Sequence, residues 1–278
     1  TDLKYEFASN WNFHWAASYR QAYQNFDNFF GGTYCENDLT LEAKPKICDW
    51  NGYLRQSYAW QETMNKTVMN TFDITGKFDT GIFEHNFMIG ADWSHENRDP
   101  KLGNYSSGQF AGKYYGYMNP YHPNDHYESF DLADGRPPMT SYSQHKSENK
   151  AIFIQDLISL LPSLKMMLGA RYDHFEFKTQ NMLTDKKQSY DGESFSPNIG
   201  FVWQPNESHS FYTSYSKSFA PYGGRGMISI DPTLNPSVYD AEPQYNEQYE
   251  IGIKSDWLDN RLNTQISVYD IRKNNIRY

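Results

Sequence analysis

The strongest constraint in this sequence is a two-residue period of hydrophobicity. It is clearest over residues 164–173, where Leu164, Met166, Leu168, Ala170 and Tyr172 alternate with Lys165, Met167, Gly169, Arg171 and Asp173. Successive side chains of a strand point to opposite faces, so this period builds a sheet with one apolar and one polar side. The pattern recurs in Phe87, Ile89, Ala91 and Trp93 against Met88, Gly90, Asp92 and Ser94. It recurs again in Ile199, Phe201 and Trp203 against Asn198, Gly200 and Gln204, and in Tyr249, Ile251 and Ile253 against Glu250, Gly252 and Lys254. Ten strands are predicted, near residues 3–8, 12–28, 54–78, 84–97, 143–159, 164–180, 194–204, 209–220, 244–257 and 261–276.

The connections alternate between short and long. Short turns fall at 9–10, 79–83, 160–163, 205–208 and 258–260, and long connections at 30–52, 98–142, 181–193 and 221–243. Structureless loops beyond about 15 residues are uncommon in compact soluble domains. Here all the long ones fall at one end of the sheet, as in outer-membrane barrels with short periplasmic turns and long external loops. Trp203 and Trp257, beside two of the short turns, are expected in an inner aromatic girdle, whereas a soluble sandwich would bury them. An open sheet of ten strands would leave two unpaired edges in lipid, so residues 1–278 are expected to be a portion of a larger barrel.

Composition agrees with a barrel and removes other classes. Aromatic residues make up 17% of the chain, with 23 Tyr, 18 Phe and 7 Trp, while the hydrophobic fraction is only 38%. Mean hydropathy is −0.83. The most apolar run, 151–168, is interrupted by Gln155, Asp156, Pro162 and Lys165, so no helix is expected to cross a bilayer. In a barrel only alternate residues face lipid, which keeps average hydropathy low. A net charge of −9 argues against a nucleic-acid partner. No export signal opens the sequence as given. There is no nucleophile elbow, zinc-protease helix, phosphate loop or dinucleotide fingerprint, and no enzymatic activity is expected. His122 and His126 bracket Asp125 in HPNDH, but Pro120 and Pro123 oppose the helix on which that spacing would chelate a metal, so no metal site is expected. Cys35 and Cys48 lie in a polar stretch and read either as unrelated thiols or, better, as one disulfide closing a loop in an oxidising compartment.

Several stretches, in order and at their spacing, resemble the TonB-dependent siderophore receptors, and the ferrichrome-receptor type in particular. They are AIFIQD at 151–156, LGARYD at 168–173, SFSPNIGFVWQP at 194–205, FYTSYSKSFAP at 211–221, QYNEQYEIGIKSDWLDNRL at 244–262 and ISVYDIRKNNI at 266–276. Upstream, a loop with two nearby cysteines and the long hairpin NTFDITGKFDTGIFEHNFMIGADW fit the same pattern, which supports pairing Cys35 with Cys48. The resemblance implies an all-β, antiparallel transmembrane barrel of 22 strands in the family, about ten of them here. It also implies an N-terminal plug, which with the remaining strands is not seen in this chain, and energy delivered through TonB. Implied with these are a Gram-negative outer-membrane location with the loops outside, and contact with outer-membrane lipid and lipopolysaccharide.

A ferric siderophore brings its iron already chelated, so such a receptor needs no cofactor or iron ligand of its own. It needs a concave aromatic vestibule with a few polar donors. The predicted loops supply Phe30 and Tyr34; Tyr105, Phe110, Tyr114, Tyr115, Tyr117 and Tyr121; and Tyr222, Arg225 and Tyr239. From these the expected ligand contacts are Phe30, Tyr34, Phe110, Tyr114, Tyr115, Tyr117, Tyr222 and Arg225, with the resemblance placing family aromatics near Phe30 and Phe110. Lys165, Arg171, Asp173, Glu250, Lys254 and Asp256 read as a hydrated wall network on the lumen side. Two other classes remain open from sequence. One is a ten-stranded outer-membrane protease, with His95 and Asp99 or Asp125 and His126 as its only candidates. The other is a soluble aromatic-rich carbohydrate-binding β protein.

Overall fold

The computed structural model describes residues 1–34, 52–104, 115–128, 138–220, 244–259 and 261–275. Its strands are β1 (Asp2–Ala8), β2 (Trp11–Tyr34), β3 (Leu54–Thr80), β4 (Phe83–Asn104), β5 (Tyr115–Asn119), β6 (His122–Glu128), β7 (Ser141–Leu161), β8 (Leu164–Asn181), β9 (Lys187–Asn206), β10 (His209–Ala220), β11 (Gln244–Trp257) and β12 (Leu262–Asn274). Ten of them form one antiparallel meander in the order β1-β2-β3-β4-β7-β8-β9-β10-β11-β12. The sheet is open, with β1 and β12 as its ends. β5 and β6 form a hairpin off this path, with β5 paired to the upper end of β3.

Three expectations change. The strands run further at the long-loop end than the apolar alternation alone showed, so Phe30 and Tyr34 lie in β2 and not in a loop. The third long connection shrinks to 182–186, because β9 already begins at Lys187. The second long connection contains the β5–β6 hairpin, which places Tyr115 and Tyr117 in a strand. In each case the backbone pairing continues where the lipid-type hydrophobicity stops. Cys35, Cys48, Tyr105, Phe110, Tyr114, Tyr222, Arg225 and Tyr239 lie outside the described residues.

The short turns are where the sequence placed them and are built by residues suited to them. Gly81 (φ 63°) and Asn10 (φ 67°) take left-handed backbone at two of them. At a third, the Asn206 side-chain oxygen accepts from the backbone N–H groups of Ser208 and His209, each at 3.0 Å.

Register assigns the two faces. Ile89, Ile154 and Ala170 share a face, as do Ala91, Ile152, Tyr172 and Phe195 one row above, and Phe201, Thr213 and Ile251 along the later strands. Ile152, Ile154, Leu168, Tyr172, Phe195, Ile199, Phe201 and Ile251 are all exposed on it. Among the described residues only Trp60, Ala151 and Phe175 are buried hydrophobics. A soluble sandwich would cover such an apolar face. Trp203 and Trp257 remain 50% and 46% exposed, as a membrane girdle requires and a sandwich core forbids. The opposite face is concave, since one hollow there is lined from β3 across to β10.

Ring-over-glycine contacts tie neighbouring strands together. Trp11 covers Gly76, Phe153 covers Gly90, Trp60 covers Gly103, Phe175 covers Gly192 and Tyr212 covers Gly252, each so closely that a Cβ on the glycine would overlap the ring. The strands are also tall. β3 has 27 residues, and at about 3.3 Å per residue this far exceeds what a tilted strand needs to cross an apolar band about 25 Å high. The wall therefore continues well beyond the lipid at the long-loop end.

Candidate functional site

The concave face holds a connected pair of hollows, about 620 and 360 Å3, that share Arg171, Asp173 and Phe219. Their sizes fall in the range of small-molecule sites. The lower hollow is organised by one row of the sheet, Asp92 on β4, Ala151 on β7 and Asp173 on β8. Alanine at the middle position leaves room for the Arg171 side chain to cross β7. Its guanidinium donates to both Asp92 oxygens, at 2.6 and 3.1 Å, and to both Asp173 oxygens, at 2.9 and 2.8 Å. Asn149 donates to Asp173 as well, at 3.1 Å. The same guanidinium lies 5.9 Å from the centre of the Phe153 ring. Asp173 is 1% exposed, so its charge is held away from water by these bonds.

The upper hollow is aromatic. Phe175 stacks on Phe219 with centroids 5.5 Å apart, and meets Tyr190 at 5.8 Å and Phe177 at 6.1 Å. Gly192 stands opposite Phe175 on β9 and provides the space for its ring. β10 stops pairing with β9 at Ser216 but continues along β11, which brings Phe219 to this cluster. Two buried polar atoms lack a hydrogen-bond partner among the described residues, Asn149 Oδ1 in the upper hollow and Ser194 Oγ opposite Asp173 on β9. Such atoms are normally satisfied by water or by a ligand.

On the far side of the sheet, Phe26 and Phe30 meet edge to face at 5.7 Å on the concave side of β2. Backbone register sets Phe30 opposite Ser57 on β3, and Ser57 opposite Tyr115 on β5. Tyr34 is exposed at the upper end of β2. Of the predicted contacts, the fold thus brings Phe30, Tyr34, Tyr115 and Tyr117 to the upper ends of neighbouring strands. Phe26, Phe175, Phe177, Tyr190 and Phe219 were not among the predicted residues.

The predicted wall network takes this form. Arg171 and Asp173 belong to the cluster just described. Glu250 accepts from Tyr212 Oη at 2.7 Å, and Lys254 lies 5.6 Å from the Tyr212 ring. These are closed ionic and hydrogen-bonded groups, without a nucleophile aligned on a base. Among the described residues no group of three or more His, Cys, Asp and Glu is placed to hold a metal ion. His95 stacks on Trp93 and bonds to Asn97, not to Asp99, which lies four positions along the same strand. His122 and His126 lie in β6, where a separation of four residues is about 13 Å along the strand.

Comparison with known proteins agrees with this architecture. The family model described as TonB dependent receptor-like, beta-barrel, matches residues 1–278. The chain is 26% identical over 292 aligned positions to the probable TonB-dependent siderophore receptor PiuA of Acinetobacter baumannii, covering 92% of this chain and 39% of that protein. It is 26% identical to the ferripyoverdine receptor of Pseudomonas aeruginosa, over 77% of this chain and 24% of the receptor. The crystal structure of PiuA superposes with a TM-score of 0.73 at 21% identity, over 96% of this chain and 38% of that one. The closed form of the ferric-catecholate import receptor Fiu of Escherichia coli K12 gives 0.76 at 16% identity, over 99% and 40%. The chain thus spans well under half the length of these relatives. With the alternating strands, the open concave sheet and the exposed apolar face, the match over the whole of 1–278 places the chain in the TonB-dependent receptor family, as part of its β-barrel.

Proposed function

We propose that the protein is an outer-membrane receptor that binds a ferric siderophore and imports it with energy supplied through TonB. Residues 1–278 would be a portion of its barrel, with the plug and the remaining strands elsewhere in the protein. The observation that carries this reading is the wall above the apolar band, which turns aromatic on its concave side over one hollow holding a fixed charge cluster. Relatives named as siderophore receptors support it. Iron enters as cargo within its chelate, so this reading requires neither a cofactor of the protein's own nor an enzymatic step.

In this reading Phe30, Tyr34, Tyr115 and Tyr117 contribute to the mouth of the site, and Phe110, Tyr114, Tyr222 and Arg225 contribute from the loops. Phe175, Phe177 and Phe219 face the ligand deeper in. A Cys35–Cys48 disulfide closes the first loop. The loops face the outside of a Gram-negative cell, and the outward face meets outer-membrane lipid and lipopolysaccharide.

The test is a tryptophan-fluorescence titration of the full-length receptor in detergent with a panel of ferric siderophores, hydroxamates and catecholates first. Saturable quenching by one ferric complex and not by its iron-free form is expected. No response to any chelate from a protein whose circular dichroism shows an intact barrel would overturn the reading.

A further inference from the structure

The charges that line the two hollows do not cancel. They are Asp92, Arg171, Asp173 and Lys217 in the lower hollow, with Glu148 added in the upper one. Glu148 is answered by Lys150 at 3.0 Å. Lys217 stands 4.2 Å over the Tyr245 ring and opposite Glu247 in register. Asp92 and Asp173 are left to share the one guanidinium of Arg171, two negative charges against one positive. All three nitrogens of that guanidinium are already engaged by the two carboxylates.

Unmatched hydrogen-bonding atoms stand beside this unmatched charge. Ser194, opposite Asp173 and on the same concave side, is 3% exposed, and its Oγ has no partner among the described residues. Asn149 donates to Asp173 through Nδ2, while its own Oδ1 is unpartnered. A carboxylate pair short of one cation, next to two oxygens short of a donor, matches a group that is both positively charged and rich in N–H donors. The rings of Phe175, Phe177, Phe219 and Tyr190 lie just above, and their faces attract a cation and repel an anion. Phe175 is two positions from Asp173 on β8, about 7 Å along the strand. A ligand resting on the rings therefore reaches the carboxylates with a short aliphatic arm.

We infer that the site selects ferric siderophores that carry a protonated primary amine. The chelate rests on the aromatic rings, and its ammonium sits against Asp92 and Asp173, donating also to Asn149 Oδ1 and Ser194 Oγ. The ammonium brings the cluster to neutrality. This inference rests on the siderophore reading above and adds the chemistry of the arm that the chelate bears.

The experiment titrates the full-length receptor in detergent with matched ferric chelates, one bearing a free primary amine and the other the same molecule N-acetylated. Both pairs, on a trihydroxamate and on a tricatecholate scaffold, are followed by tryptophan fluorescence, so the arm is read on either chelating group. The amine form is expected to bind about tenfold more tightly than the acetylated form. Asp92→Asn, which leaves one carboxylate for one guanidinium, should bring that ratio close to one. Asp92→Glu should restore it, which separates charge from a disturbed wall. Equal affinity of the two forms for the wild type would overturn the inference and assign the cluster to a cation of the protein itself. A ratio that survives Asp92→Asn would overturn it too. Either result leaves the siderophore reading standing, because a chelate still binds. No response to any chelate from a folded protein would instead fail that reading, and this one with it.

Discussion

The lower and upper halves of β8 and its neighbours are built on opposite rules. In the lower half, Leu164, Met166, Leu168, Ala170 and Tyr172 face outward and Arg171 and Asp173 face the hollow. In the upper half, His174, Glu176 and Lys178 take the outward positions, while Phe175 and Phe177 line the concave side. β9 changes over in the same way, from outward Phe195, Ile199 and Phe201 to outward Asp191 and Glu193 with Tyr190 inside. The strand pairing does not change. The solvent does: below, lipid lies outside, and above, water does, so apolar side chains gain by turning inward only once the strand has left the bilayer.

The largest way to break this contrast is at the charge cluster. Replacing Arg171 with Leu leaves Asp92 and the buried Asp173 facing one another without their cation, and should cost about 3 kcal/mol or more in denaturant unfolding from vesicles. Next is the outward face. Ile154→Lys, in the lower half, should cost about 2–3 kcal/mol in the same assay, while Glu193→Lys, in the upper half, should stay within about 0.5 kcal/mol. Equal effects at the two positions would mean that the lipid boundary does not lie between them.

A third contrast concerns ligand binding. Phe175→Ala and Phe219→Ala should each weaken binding of the ferric siderophore by about tenfold, and Phe201→Ala, on the lipid side, should leave it unchanged. The smallest effect is one of pH. His145 stands in the upper part of β7, seven positions beyond Ile152, 3% exposed, with Nδ1 bonded to Thr179 and with Arg98 and Asp99 nearby. Burial, first, and the Arg98 charge push its pKa down from 6.5 to about 4, with Asp99 opposing. The folded state therefore refuses a proton that the unfolded state accepts, so this contribution to stability is present above pH 6.5 and is lost as pH falls toward about 4. A His145→Gln variant should show a flatter stability profile over that interval. An unaltered profile would remove His145 as the cause.

Much of the architecture could be read in advance because lipid imposes a strict code. The alternation at 164–173 and at 249–254 located strands and faces, and the short turns located one end. The candidate site was less legible, for the same reason. Reading alternation as lipid outside ended β2, β4 and β9 short at the long-loop end, which made Phe30 and Tyr34 into loop residues; β8 was drawn over its full height, but its upper rings Phe175 and Phe177 were not read as part of a site. A signal was available: at His174 the apolar residues move from even to odd positions without a turn residue. Contacts made by chain direction, such as Phe219 reaching Phe175, leave no local pattern, since the departure of β10 from β9 after Ser216 depends on pairing partners distant in sequence.

The extra height of these strands bears on how tightly such a site can hold its guest. Side chains carried by a flexible loop surrender conformational entropy at the moment of capture, and that loss is subtracted from affinity. Phe26, Phe30, Phe175, Phe177 and Phe219 stand on strands whose backbone order was already established when the sheet folded. If the proposed site is correct, the cost of ordering the chain for these five rings falls on folding, and binding bears only the loss of a few side-chain rotations.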